Sequence, residues 1–163
     1  MKQKTAYMGL FTAIAIIFGY VETLIPVFAG IPGIKLGLAN LSVLFILERY
    51  SLQEAALVSA VRILVIGFLF GNMFSILYSL AGAALSLTVM VLVKKYTDFS
   101  IPFISVAGGI THNVGQLLVA MILVGNTSLL YYVPALLVSG VITGLLIGWL
   151  TKEVLKRIPV SYQ

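Results

Sequence analysis

The sequence predicts an all-α integral membrane bundle: one transmembrane domain over residues 1–163, with six transmembrane helices and both termini cytoplasmic. Three observations carry that expectation. The 163 residues are 61% hydrophobic and only 9% charged, with a mean hydropathy of +1.13, whereas soluble domains average about 25% charged residues. Apolar runs near the ~20 residues needed to cross the hydrocarbon core alternate with turn signals. Lys and Arg collect at the ends of those runs. The cell membrane is therefore the expected location, with the bilayer as the surrounding medium.

The first span is expected over 7–24, stopped before Pro26. Lys2 and Lys4 ahead of an apolar run resemble a signal peptide. No small-residue cleavage site followed by a soluble sequence accompanies them, so the run reads as a span. Two prolines and two glycines break the chain over Ile25–Lys35. The second segment, 36–47, is short for a span; it is either a short helix or preceded by a loop that dips into the membrane. The third covers 53–70, and Gly71-Asn72 makes a tight turn into the fourth, 73–93, which ends before Lys94-Lys95. Pro102 opens the fifth, 102–124, in the first turn, where proline is tolerated. Gly125–Ser128 then turns the chain into the sixth, 129–150, ahead of a basic tail.

Positive charge orients the bundle. With six spans, Lys2, Lys4, Arg49, Lys94, Lys95, Lys152, Lys156 and Arg157 share one side and Lys35 stands on the other. This is a strong positive-inside bias, and it places both termini in the cytoplasm. Omitting the second segment would separate Lys2 and Lys4 from Lys94 and Lys95, so six spans fit best.

Small residues mark close helix packing. Gly140, Gly144 and Gly148 form a GxxxGxxxG ridge on the sixth span, and Gly9 with Ala13, and Ala15 with Gly19, repeat the spacing on the first. Each stripe can serve packing within the chain or contact with another protein.

Several activities are excluded by composition. Zero cysteines remove disulfides, thiolate metal sites and cysteine nucleophiles. The net charge of +5 lies at helix ends and is no nucleic-acid signal. No nucleophile–base pair, no acidic pair suited to magnesium and diphosphate, and no phosphate-binding glycine loop ending in Lys-Ser or Lys-Thr is present. The chain is expected to be no enzyme, and to use neither a metal nor a cofactor.

The informative residues are polar groups inside the spans. Arg62 lies mid-way along the third, where a guanidinium costs on the order of 3 kcal/mol even on a lenient insertion scale. Lys35 stands at the outer mouth of the second segment, with Asn40 little more than a turn further in. Asn72 marks the outer turn. Beyond it Ser75, Ser79, Gly82 and Ser86 share a helical stripe. His112, Asn113 and Gln116 cluster on the fifth span, His112 and Gln116 on one face.

Each group also has a plain structural role available. Membrane serines bond their own i−4 carbonyl, Asn and Gln tie helices together, and a lone His packs. Glu22 either neutralises Lys35 or Arg62 or meets a ligand. If Lys35, Arg62 and His112 converge, they outnumber that one carboxylate and create a cavity for an anion, which Arg recognises through paired hydrogen bonds. The expected ligand is a small anionic or zwitterionic metabolite. Its candidate contacts are Lys35, Asn40, Arg62, Asn72, Ser79, His112, Asn113 and Gln116.

Three stretches, Ile31–Asn40 (IPGIKLGLAN), Phe70–Gly82 (FGNMFSILYSLAG) and Gly108–Gln116 (GGITHNVGQ), together resemble the Gx transporter family, also catalogued as heptaprenyl diphosphate synthase component I. The resemblance covers nearly the whole chain. That family is similar to the S components of energy-coupling factor (ECF) transporters, six-helix proteins that capture a micronutrient and pair with a transmembrane coupling subunit and two ATPases. The resemblance implies an S-component-like fold, a ligand site near the outer side at the residues just named, and docking of the coupling subunit through Gly9 and Ala13. The aspartate-rich motifs of prenyl transfer are absent. The expected function is a substrate-binding subunit of such an importer. The alternatives are a membrane accessory subunit for polyprenyl diphosphate or quinone synthesis or membrane redox activity, and a small homo-oligomeric channel.

Overall fold

A computed structural model describes residues 2–25 and 36–158. Within them the chain is all-helical, with no strand: α1 (Lys2–Leu24), α2 (Leu38–Arg49), α3 (Leu52–Phe70), α4 (Met73–Tyr96), α5 (Ile101–Val124) and α6 (Val133–Arg157). A 3-10 turn, Thr127–Tyr132, precedes α6. Five of these helices are long and apolar enough to cross a membrane, so the protein is a multi-pass membrane protein.

The exception is α2. Its 12 residues rise only about 18 Å at 1.5 Å per residue, against a hydrocarbon core of about 30 Å. The expected second segment, 36–47, is thus a short helix shifted two residues towards Arg49. Gly37, at φ 76°, delays its start, because a left-handed residue cannot begin a right-handed helix. The sixth segment also starts later than 129 as an α-helix. Pro134 lacks an N–H and so fits the first turn of a new helix, while the 3-10 turn occupies the residues before it. α1 begins five residues before Tyr7, and α4 and α6 extend beyond 93 and 150 into their basic ends. Polar residues continue a helix readily once it emerges from the hydrocarbon.

Helix contacts close a ring: α2 meets α3, α3 meets α4, α4 meets α5, α5 meets α6, and α6 returns to α2, while α1 lies against α2 and α3. Inside a bilayer, apolar burial alone gives little reason for helices to associate, so close backbone approach and dispersion do that work. The α5–α6 contact shows how. A Cβ added at Gly140, Gly144 or Gly148 would lie within 3.0 Å of α5 backbone or of Pro102. The glycine ridge on α6 is therefore an intramolecular seam.

The two stripes on α1 diverge. Ala15 is fully buried, and a Cβ on Gly19 would meet Ile66 at 3.0 Å. Gly9 and Ala13 face outward, with nothing within 4 Å of a Cβ on Gly9.

At the Arg49 end the bundle is solid. Phe11, Val43–Leu47, Ala55, Val58, Leu87, Met90, Ile104 and Ile147 form the main core, with Phe11 stacked on Phe45 at 4.2 Å. Polar ties lock the helix ends below it. Lys4 pairs with Glu54, Lys94 with Glu48 at 2.9 Å, and Arg49 donates to the Leu155 and Ile158 carbonyls at the end of α6.

Candidate functional site

The short α2 leaves the opposite half of the ring unfilled. Above its first turn lies a cavity of about 330 Å³, with walls contributed by α1, α3, α4, α5 and α6. It reaches the surface beside Thr23, Phe70, Gly71 and Asn72, all exposed.

Of the eight candidate contacts, seven line this one cavity: Asn40, Arg62, Asn72, Ser79, His112, Asn113 and Gln116. Lys35 lies outside the described residues. Convergence follows from register. Asn40 sits in the first turn of α2, Arg62 two turns from the end of α3, and Asn72 at the start of α4. His112, Asn113 and Gln116 occupy the middle of α5, opposite Gly82 of α4. A Cβ on Gly82 would sit 2.7 Å from the Gln116 Cγ and 2.8 Å from the His112 carbonyl oxygen. This glycine lets α5 approach closely enough for both side chains to reach the cavity wall.

The residues differ in what remains available. Arg62 Nη2 donates to Asn40 Oδ1 at 3.2 Å, while its buried Nε finds no partner among the described residues. That orphaned donor is unusual, since buried polar groups are nearly always paired. Gln116 is buried and its side chain makes no hydrogen bond among the described residues, so its amide is available to the cavity it lines. Two candidates are already employed. Asn113 Nδ2 donates to the Leu136 carbonyl at 2.8 Å, tying α5 to α6. Asn72 Oδ1 accepts from the Ser75 N–H at 2.8 Å, and Ser75 Oγ accepts from the Asn72 N–H at 3.0 Å. This reciprocal capping box starts α4.

Glu22 adds a role to those expected of it. Its Oε1 accepts from the Leu38 N–H at 2.8 Å, satisfying one of the orphan donors at the positive end of α2. It also lines the cavity and acts electrostatically on Arg62. The cavity thus holds one guanidinium, one carboxylate already committed to a helix terminus, His112 and a set of neutral hydrogen-bonding groups. That inventory suits a ligand with at least one anionic group.

Some lining residues were not singled out in the sequence. Thr143 enters from α6 beside the glycine ridge, and Thr23 flanks the mouth. Thr143 precedes Gly144, so its place next to a packing seam was a usable signal. Thr23 had none beyond helical register. Among the described residues no group of His, Asp and Glu is arranged to hold a metal ion.

Comparison with known proteins is consistent with one family. A family model described as heptaprenyl diphosphate synthase component I matches residues 11–154, from the first helix to the last. No curated protein and no solved structure matches the chain.

Proposed function

The chain belongs to the heptaprenyl diphosphate synthase component I family, and we propose that it is an S-component-like, substrate-binding subunit of an energy-coupling factor type importer. In this reading all six helices serve as spans, α2 as a short one, and both termini are cytoplasmic. The charge distribution described above supports that orientation. The cavity then faces outward and captures a small anionic or zwitterionic nutrient or precursor. A transmembrane coupling subunit and an ATPase pair supply the energy, since the chain has no nucleotide-binding loop of its own. The outward-facing Gly9–Ala13 stripe supports docking of the coupling subunit on α1.

The observation that carries this reading is the orphaned Arg62 Nε in a cavity that also gathers Asn40, His112 and Gln116. A buried guanidinium with an unused donor is costly. A bound carboxylate or phosphate would offset that cost through paired, charge-assisted hydrogen bonds. Native mass spectrometry of the detergent-purified protein tests it: a small anion should copurify with the wild type and be lost from Arg62→Ala. Retention of the same molecule by Arg62→Ala would remove the proposal.

The family's description favours one alternative, a membrane accessory subunit for polyprenyl diphosphate or quinone synthesis. The chain has a single Asp, Asp98, so magnesium and diphosphate would have to be held by a soluble partner. Copurification separates the two. A prenyltransferase in place of an ATPase pair supports the alternative.

A further inference from the structure

Five residues of the large cavity (Gly37, Asn40, Gly109, His112 and Thr143) also line a second, smaller chamber of about 40 Å³. The two adjoin one another. The chamber runs deeper into the bundle, beside the second turn of α2, and Ser59, Ser86 and Ser105 stand in its wall. These serines come from α3, α4 and α5, and no short-range feature of the sequence links them.

Their hydroxyls behave unlike those of the membrane threonines. Thr12, Thr88, Thr111, Thr143 and Thr151 each donate to the carbonyl four residues earlier, at 2.7–2.8 Å. That is the ordinary fate of a hydroxyl in an apolar helix. Ser59, Ser86 and Ser105 are only 3%, 7% and 6% exposed, yet their side chains make no hydrogen bond among the described residues. Three hydroxyls without a protein partner, lining one small void, form a receptor for a neutral hydrogen-bonding group. No carboxylate lines the chamber and Arg62 lies about one helical turn above Ser59, so a cation is disfavoured there. By the volume one water requires, about 10–15 Å³ on this measure, the space holds two or three non-hydrogen atoms.

We infer that the chamber is a second subsite that recognises an uncharged polar terminus, such as a hydroxymethyl or carboxamide, of an elongated ligand whose anionic end lies against Arg62. This rests on the anion-binding reading of the large cavity. Separation along the helices sets the length. Ser59 is three residues deeper than Arg62, and Ser105 seven deeper than His112, or about 5–10 Å at 1.5 Å per residue. A linear chain of roughly four to eight bonds spans that distance.

The test uses the full-length protein in nanodiscs. The probes are linear alkanoates and alkyl monophosphates of two to eight carbons, with and without a terminal hydroxyl, and calorimetry measures binding. Within one anion series, affinity should peak at an intermediate length, and there the hydroxylated probe should bind about tenfold tighter than its plain counterpart. Ser86→Ala and, independently, Ser105→Ala should remove that preference while changing the affinity of the two-carbon member less than twofold. Binding that depends on Arg62 but ignores chain length and the hydroxyl would overturn the second subsite and leave the anion site standing. Absence of binding by every anion would overturn both.

Discussion

Asn113 and Gln116 are three residues apart and both buried, yet their side chains divide structure from recognition. Asn113 spends its donor on the Leu136 carbonyl, whereas Gln116 leaves its amide available to the cavity. Asn113→Ala should therefore lower the stability of the purified protein by about 1 kcal/mol, the scale of interhelical side-chain bonds in membranes, and loosen α5 from α6. Gln116→Ala should leave the thermal midpoint nearly unchanged and, on the proposed function, weaken anion retention several-fold. The reverse assignment of effects would contradict the hydrogen-bond pattern. At this scale the sequence was informative about type and silent about partners. A guanidinium at mid-span and an Asn beside a His were conspicuous. That Asn72 caps a helix and Asn113 ties two together depends on contacts between turns and helices that no local spacing encodes. Of the three chamber serines only Ser86 stood on a polar stripe, while Ser59 and Ser105 each look ordinary on their own helix.

At the level of helices, small-residue spacing was legible but its destination was not. Three glycines on α6 and a Gly–Ala pair on α1 obey the same four-residue rule, and only the fold separates them. Gly144 abuts Val106, where an added Cβ would lie 2.6 Å from the neighbouring Cα. Backbone cannot swing aside as a side chain can, so Gly144→Ala should destabilise the bundle by about 1–3 kcal/mol, read as a lower thermal midpoint in detergent. Gly9→Leu should leave that midpoint unchanged and, on the proposed function, reduce copurification of a coupling subunit. A large loss of stability from Gly9→Leu would place α1 differently. The length of α2 was legible as an anomaly, a run too brief to span. Its physical meaning came from Gly37, whose left-handed backbone fixes where the helix can begin.

For the whole molecule, order and void are distributed by height. The half around Phe45 is tightly packed, and the half above Asn40 is hollow and polar. Stability should reside in the first and recognition in the second. Phe45 is completely buried and stacked on Phe11. Phe45→Ala should cost about 2–4 kcal/mol through the cavity it leaves, with anion affinity in the surviving folded fraction within twofold of wild type. A parallel loss of affinity would show that the two halves are not separable. Composition and hydropathy were sufficient for the membrane-spanning, all-helical character, because apolar length is a local property. The ring closed by α2 on α6 was not legible, since it joins segments a hundred residues apart through faces that are apolar all round.

The first turn of α2 is also the floor on which a guest molecule would rest. Each residue gained or lost there moves that floor by about 1.5 Å and rotates it by about 100°, at the expense of the bonds this turn makes with Glu22 and Arg62. Size selectivity in such a scaffold can thus drift through insertions and deletions near Gly37, while the scaffold itself stays constant.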